Sequence, residues 1–382
     1  MTALRVAKML TLLKRTFLLT LVCLAAPNPA PAEDGWLSVD GPCRLSFPRD
    51  HGAHPGYRTE WWYYTGNLAT AGREFGFQLT FFRSQVLAPG REVDWPRPPS
   101  AWRTRQMYMA HAAVSDLAPG RHLQSERMAR GALGLAGVDQ SGGSTRVHLL
   151  GWQALIQGAI HQLQADADDF RLELELASAK APVSHGDAGY SRKGQAPDRA
   201  SCYYSLTRLK TRGSLRIGED RFQVAGESWM DHEFSTAPLE PGIRGWDWFS
   251  LQLSDGSEIM VYLLRLEGGG WNPASSGTYV DAAGNSRHLA RHEFSVEVLD
   301  VWASRRSQAE YPSRWRMRVP RLALDLEIVS RLADQEMLGM LNDTITYWEG
   351  SVAVEGRRNG QPVAGLGYVE LTGYARGLDA PM

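Results

Sequence analysis

The chain predicts an all-β fold of two tandem antiparallel β-units, each closed into a barrel. Three observations predict it. Short runs rich in Val, Thr and aromatic residues recur between turns marked by Gly, Pro, Asn and Asp. No long helical period competes with them; a short helix near residues 331–341 is the one helical expectation. The second half of the chain repeats the order of the first. Closing such strands into barrels removes the exposed edges that an open sheet leaves.

Taken in order, the chain begins with a targeting segment. Arg5, Lys8, Lys14 and Arg15 precede an apolar run over 16–26, and Ala30-Pro31-Ala32 has the small-x-small pattern of a cleavage site. The run is shorter than the roughly 20 residues a bilayer span needs. Residues 1–32 are therefore expected to be a signal peptide, and the chain to be exported, to a periplasm, with no integral membrane span after cleavage. Cys23 leaves with the signal. Cys43 and Cys202 remain, either paired in an oxidising compartment or buried as free thiols.

The stretch 50–68 concentrates two His, an Arg, a Glu and four consecutive aromatics in a turn followed by a strand. The strand is expected over 60–68, a hairpin loop over 69–74 and the return strand over 75–83. A Pro-rich loop over 89–99 leads to a strand over 107–117. Residues 131–144 read as turn, since their Gly spacing matches no phosphate loop. Strands follow over 152–163 and 170–176, an exposed loop over 181–198, and strands over 203–217 and 222–229. A hairpin over 245–253 and 258–265 turns at Ser254-Asp255-Gly256. Later strands are expected over 293–302, 315–319, 322–328, 344–354 and 365–374.

The repeat sets Trp61-Trp62-Tyr63-Tyr64 against Trp246-Asp247-Trp248-Phe249, and residues 77–83 against 259–265. It also sets Gly226 to Asp231 against Gly365 to Glu370, and Gly213-Ser214-Leu215 against Gly350-Ser351-Val352. The expected domains are 33–238, enlarged by insertions, and 239–382, joined near 235–242.

Net charge is -1, which excludes the basic footprint of a nucleic-acid partner. The 13 Trp favour large apolar binding surfaces. His-Pro-Gly-Tyr-Arg-Thr-Glu-Trp-Trp-Tyr-Tyr at 54–64 and Trp-Met-Asp-His-Glu-Phe at 229–234 resemble exported proteins called predicted secreted hydrolases, grouped with the carotenoid 1,2-hydratase (hydroxyneurosporene synthase) superfamily. The resemblance implies two lipocalin-like barrels. It implies a hydratase or a hydrolase, but the chain has no Gly-x-Ser-x-Gly elbow.

Hydrating an alkene needs a proton donor, a setting that tolerates a carbocation, and a base for water. An acid buried among apolar groups stays protonated and supplies the first. Aromatic faces supply the second by cation–π attraction. Asp231, placed just after a strand, is the expected acid, with His232 and Glu233 as orienter or base. Trp61, Tyr63, Trp229, Trp246 and Trp248 are the expected substrate walls. Trp246 and Trp248 share one strand face, which leaves Asp247 a structural role. The opposing reading makes Asp231 and His232 a latch between the two units. Glu370, the repeat counterpart of Asp231, is a second candidate acid.

His51 and His54 with Glu60, completed by His111 or His232, have the residue types of a metal site. The favoured reading instead pairs Arg58 with Glu60, so that His54, Arg58 and Glu60 pin the loop over a barrel mouth, with no metal and no cofactor. The expected partner is a hydrophobic small molecule. The chain is expected to be an enzyme acting on a lipid or isoprenoid-type substrate; the alternatives are a non-catalytic carrier and a metal-assisted or carboxylate-driven hydrolase.

Overall fold

The computed structural model describes residues 35–91, 96–98, 100–237, 239–339 and 346–377. The expected signal peptide lies outside them, apart from the pattern already given. Among the described residues no helix is long and apolar enough to cross a membrane.

Among the described residues, twenty-three strands build two antiparallel sheets. The first holds β1 (Thr59–Thr70), β2 (Arg73–Gln85), β3 (Gln106–Asp116), β4 (Arg121–Arg130), β5 (Ala136–Ser141), β6 (Ser144–Leu149) and β7 (Trp152–Gln157). It continues with β8 (Ile160–Asp166), β9 (Phe170–Ser178), β10 (Val183–Ser184), β11 (Tyr190–Arg192), β12 (Ala200–Ile217) and β13 (Asp220–Ser235). The second holds β14 (Ile243–Leu253), β15 (Glu258–Leu266), β16 (Ser276–Val280), β17 (Ser286–Ala290) and β18 (Ser295–Ala303). It ends with β19 (Glu310–Val319), β20 (Leu324–Ser330), β21 (Glu336–Met337), β22 (Tyr347–Arg358) and β23 (Gln361–Leu371).

The strand orders match one for one. The first sheet runs β4-β3-β2-β1-β13-β12-β9-β8-β7, then adds β6 and β5; the second runs β17-β16-β15-β14-β23-β22-β20-β19-β18. Each sheet curls around its own apolar core, one gathering Trp62, Tyr64, Phe77 and Trp152, the other Phe249, Trp315, Trp348 and Val369. This is a tandem double-barrel, lipocalin-like architecture: the repeat predicts the two barrels, and the family resemblance implies their lipocalin-like form.

Alternation along β1 explains its four aromatics. Trp62 and Tyr64 point into the first barrel, while Trp61 and Tyr63 point out, into a third cluster with Trp229, Trp248 and Tyr262. That third cluster lies where the barrels pack. Close approach there excludes a side chain at Gly76, where a Cβ would come within 2.7 Å of the Tyr368 hydroxyl.

Pairing registers test the repeat residue by residue. Tyr63 faces Asp231 across β1 and β13, and Trp248 faces Glu370 across β14 and β23, so both pairs are equivalent. One match is corrected. Gly213 pairs with Val224 and Gly356 with Val363, so the counterpart of Gly213 is Gly356, not Gly350.

Five local expectations also change. Residues 152–163 form two strands, because Gly158 takes a positive φ of 61° and turns the chain between β7 and β8. Residues 131–144 contain β5, and 181–198 contain β10 and β11 with His185 and Ser191 buried. The described part of 331–341 carries the short strand β21 rather than a helix. Finally, β13 does not stop at Trp229; it runs through Asp231-His232-Glu233 to Ser235. Cys43 and Cys202 are joined by a disulfide that ties the N-terminal lead to β12, with Cα atoms 5.8 Å apart.

Candidate functional site

A cavity of about 500 Å³ lies between the barrels, lined by residues of both sheets. Trp61 and Tyr63 of β1, Tyr203 of β12, Trp246 and Trp248 of β14 and Tyr262 of β15 form aromatic walls. Phe82, Met107, Met109 and Met128 line it from β2, β3 and β4. Asp231, Glu233, Glu349 and Glu370 bring carboxyl groups to the same space, and Glu60 borders it too.

Asp231 is the most fully dressed of these. The Tyr203 hydroxyl donates to its Oδ2 at 2.6 Å, the Trp229 indole donates to Oδ1 at 2.6 Å, and Ser205 donates to Oδ1 as well. Trp248 donates to the Tyr203 oxygen at 3.0 Å and fixes that hydroxyl. A carboxylate has about four acceptor positions, and three fixed donors fill three of them. Burial nevertheless dominates and lifts the Asp231 pKa to about 7, against the pull of its three donors.

Glu370 repeats this on the second barrel. The Trp246 indole donates to its Oε2 at 2.7 Å, while burial, reinforced by the charges of Asp231 and Glu233, raises it to about 7. Beside it on β22 is Glu349, in register with Glu370. Tyr63 reaches across from the first barrel and donates to Glu349 Oε1. Burial and then the neighbouring Glu370 push the Glu349 carboxyl well above the usual carboxylate range.

Glu233 is different. It pairs with Lys193 at 3.1 Å. The Lys193 ammonium also sits over the rings of Tyr262, at 4.1 Å, and Tyr203, at 5.0 Å. Burial works against that charge, but Glu233, Tyr262 and Asp231 together outweigh it and the Lys193 pKa is raised.

His232 does not join this group. Because β13 continues through the motif, Asp231 and Glu233 face the cavity and His232 faces the interior of the first barrel. There its Nε2 meets Glu60 Oε1 at 2.8 Å and its Nδ1 meets the Tyr204 hydroxyl at 3.0 Å. Burial lowers its pKa. The expected role of His232 as orienter or base beside Asp231 is corrected on that ground.

The loop-pinning group is also revised. Glu60 pairs with the fully buried Arg83, at 2.8 Å, not with the exposed Arg58. Arg83 faces Glu60 across β1 and β2. His54 donates its backbone N–H to Glu60 Oε2 at 3.0 Å, and its ring Nδ1 meets Oε1 at 2.7 Å. Arg83 also donates to the His54 and Tyr57 carbonyls, which fastens the 50–58 turn to the barrel.

The donor atoms of His54, Glu60 and His232 lie within 4.8 Å of one another, a spacing that suits a metal ion. As they stand, the two rings are hydrogen-bonded to Glu60 Oε1, and Glu60 Oε2 is held by the Arg83 guanidinium and the His54 backbone N–H. The arrangement is a clamp. Asp247 is likewise structural: it faces away from the cavity and meets Arg265 and Tyr374, each at 3.0 Å.

Sequence reasoning named Asp231, Glu233, Trp61, Tyr63, Trp246, Trp248 and Glu370, and the fold brings all seven to one cavity. Trp229 supports it from behind as a donor to Asp231. It missed Glu349, Lys193, Tyr203 and Ser205. Glu349 is level with Ser205 in the pairing registers, opposite the counterpart of Asp231, but an irregularity in β12 between Leu206 and Leu209 adds a residue, so aligning Gly213 with Gly356 alone would have left it one position off.

Fold and site together define a tandem β-barrel protein with an aromatic, acid-bearing cavity for a hydrophobic ligand. Its family is shown by sequence: the AttH-like family model matches residues 38–374, and the chain belongs to that family. A solved structure of a putative AttH from Nitrosomonas europaea is 33% identical, covering 88% of this chain and 99% of that one, with a TM-score of 0.76. Kievitone hydratase from Nectria haematococca is 15% identical over 90% of this chain and 97% of that one, with a TM-score of 0.65. CghA is 12% identical over 92% and 98%, with a TM-score of 0.53. The last two likenesses establish the fold alone. No curated protein gives a significant match. The expected kinship with carotenoid 1,2-hydratases thus becomes, at the level shown, membership of the AttH-like family.

Proposed function

We propose that this AttH-like chain is an exported enzyme that hydrates an unsaturated, hydrophobic lipid or isoprenoid-type molecule in the inter-barrel cavity. The observation that carries the reading is Asp231: a buried acid, drawn to about 7, with three donors arranged to receive the charge it acquires on giving up its proton. Export is supported by the N-terminal pattern and by the Cys43–Cys202 bond, which suits an oxidising compartment. The fold it shares with kievitone hydratase is consistent with this chemistry.

The reaction balances within the cavity. The Asp231 O–H adds its proton to the less substituted alkene carbon, and the π electrons form the new C–H bond. The resulting tertiary cation lies among Trp61, Trp246 and Trp248. Water adds to it, and the released proton passes to Glu370. Burial raises both carboxyl groups to about 7, and the Asp231 charge adds to the rise at Glu370, which favours one proton shared between them near neutral pH. Proton return from Glu370 to Asp231 through solvent closes the cycle.

The test is incubation of purified protein in oxygen-18 water with isoprenoid alkenes and lipid esters, beside Asp231→Asn. Label in a new tertiary alcohol, absent with the variant, is the expected result. Label in a released carboxylate would make the chain a hydrolase. No label, with ligand retained by both proteins, would make it a carrier.

A further inference from the structure

The lining of the inter-barrel cavity includes the exposed side chains of Arg58 and Met128, so the cavity opens beside them. Pairing registers place Ser235, Thr59, Ser84, Met107 and Arg130 side by side across β13, β1, β2, β3 and β4. The first four line the cavity, and the exposed Arg130, directly opposite Met107, continues the same face. With Arg58, next to Thr59, this row forms the rim.

Large apolar side chains stand in solvent around that rim. Met128 is 40% exposed, Val86 66%, Trp102 56% and Leu133 55%. Backbone hydrogen bonds tie their segments together. Val86 follows β2 and donates its N–H to the Arg105 carbonyl at 2.8 Å, close to Trp102 in the chain. Gly131, just past β4, donates to the Gln106 carbonyl at 2.9 Å, and the Thr104 hydroxyl donates to the Gly131 carbonyl at 3.1 Å. Leu133 follows in the same turn.

Leu133 carries an added cost. Its φ is 54°, in the left-handed region that suits Gly or Asn and strains other residues. More than half of its surface stays exposed, so core packing does not offset that strain. What it presents outward is the remaining use for it.

Charge and cargo identify the partner. The whole chain carries a net -1, yet the β2–β3 connection has Arg91, Arg97, Arg103 and Arg105 against Glu92 and Asp94. Arg58 and Arg130 add to that excess at the rim. Indoles favour the headgroup level of a bilayer, and arginines are drawn to anionic lipid. A hydrophobic molecule resides in a lipid phase rather than in water, and this patch surrounds the mouth through which it would enter.

We propose that the rim docks on an anionic lipid surface, with Val86, Trp102 and Leu133 entering the headgroup region, so that a hydrophobic molecule passes between bilayer and cavity without crossing water. The proposal rests on the cavity as a site for a hydrophobic ligand, not on hydration.

The test is co-sedimentation of purified protein with vesicles of phosphatidylglycerol or of phosphatidylcholine at low salt. Wild type is expected to prefer phosphatidylglycerol. Arg58→Gln/Arg130→Gln should bind it roughly thirtyfold more weakly, the combined effect of two arginines at an anionic surface. Trp102→Ser should weaken binding to both vesicles. Leu133→Asn suits the local backbone, so it should melt no lower than wild type and still bind vesicles less well; a folding defect would lower both. Val298→Ser/Val301→Ser, on the exposed edge strand β18, should bind as wild type does. The apolar run at 16–26 enters vesicles if retained, so each comparison is between variants of one preparation.

Absence of binding overturns the proposal, as does binding untouched by the rim variants or lost equally in the β18 variant. A wild-type dimer that Trp102→Ser dissociates also overturns it and makes the rim a contact between two copies. Rim-dependent vesicle binding without oxygen-18 incorporation removes the enzyme reading alone; hydration without vesicle binding removes the docking alone.

Discussion

Tyr63 and Trp248 occupy equivalent positions in the two barrels, and each supports the other barrel's acid, Tyr63 directly and Trp248 through Tyr203. Tyr63, in register with Asp231, donates to Glu349. Trp248, in register with Glu370, donates to Tyr203, which donates to Asp231. Duplication therefore did more than double the sheet. It set two acid centres against one cavity, each partly held by the opposite barrel. The copies then diverged: the position of Ser205 in the first barrel is taken by Glu349 in the second, as their pairing with Asp231 and Glu370 shows.

The chain Trp248–Tyr203–Asp231 makes a kinetic prediction. Tyr203→Phe removes one of three donors to the Asp231 carboxylate, so the ionised form loses support and the pKa rises. The alkaline limb of the hydration pH profile should move upward by about one pH unit, the equivalent of about 1.4 kcal/mol. Trp248→Phe should move it the same way by less, since it acts through Tyr203. Oxygen-18 incorporation measured from pH 5 to 9 reads both shifts; an unmoved limb in Tyr203→Phe would contradict the assignment of Asp231 as acid.

Much of this was legible in the sequence, for physical reasons. Aromatics at both parities of β1 can be buried only if both faces of the strand are covered, and that is the barrel–barrel contact. The failures have causes as definite. Asp and Glu are poor strand formers, so a run of three ionisable residues at 231–233 looked like a strand end. Burial on both faces overrode that preference, and the continuing strand put His232 on the wrong side for catalysis. Arg83 was invisible as the partner of Glu60 because register, not spacing along the chain, decides who faces whom. Glu349 was hidden by a six-residue slip between Gly350 and Gly356 and by the added residue in β12.

Arg83 and Arg58 make opposite stability predictions from one correction. Arg83→Met leaves Glu60 buried without its guanidinium and should destabilise the fold by about 3–5 kcal/mol. Arg58→Ala touches an exposed side chain and should stay within about 0.5 kcal/mol of wild type. Urea unfolding of the two variants compares them. Equal effects would return the loop-pinning role to Arg58.

Cys43→Ser/Cys202→Ser tests the disulfide. The bond closes a separation of 159 residues, for which chain entropy gives roughly 5 kcal/mol as an upper value. A loss of about 2–5 kcal/mol is expected, and reductant should lower the wild-type melting temperature but not that of the double variant. A wild-type melt unchanged by reductant under denaturing conditions would mean the thiols are free.

Asp231 also leaves a signature in stability that needs no substrate. Its pKa is about 7 in the folded chain against an ordinary 3.8. Between about pH 4 and pH 7 the folded state therefore keeps a proton that the unfolded state has lost. Stability falls wherever the folded state binds more protons and pH rises, so this group costs stability progressively across that window and no further above it. Glu370 acts in the same direction, and the buried histidines with lowered pKa values, among them His51 and His161, act in the opposite one. The absolute melting curve mixes these contributions. The difference between Asp231→Asn and wild type isolates one of them, because the amide carries no proton to lose. The variant should gain on wild type as pH rises from 4 to 7, by on the order of a few kcal/mol, and the gap should then level off. A gap that stays constant from pH 4 to 8 would show that Asp231 is already ionised in the folded chain, and would remove the proton donor on which the proposed chemistry depends.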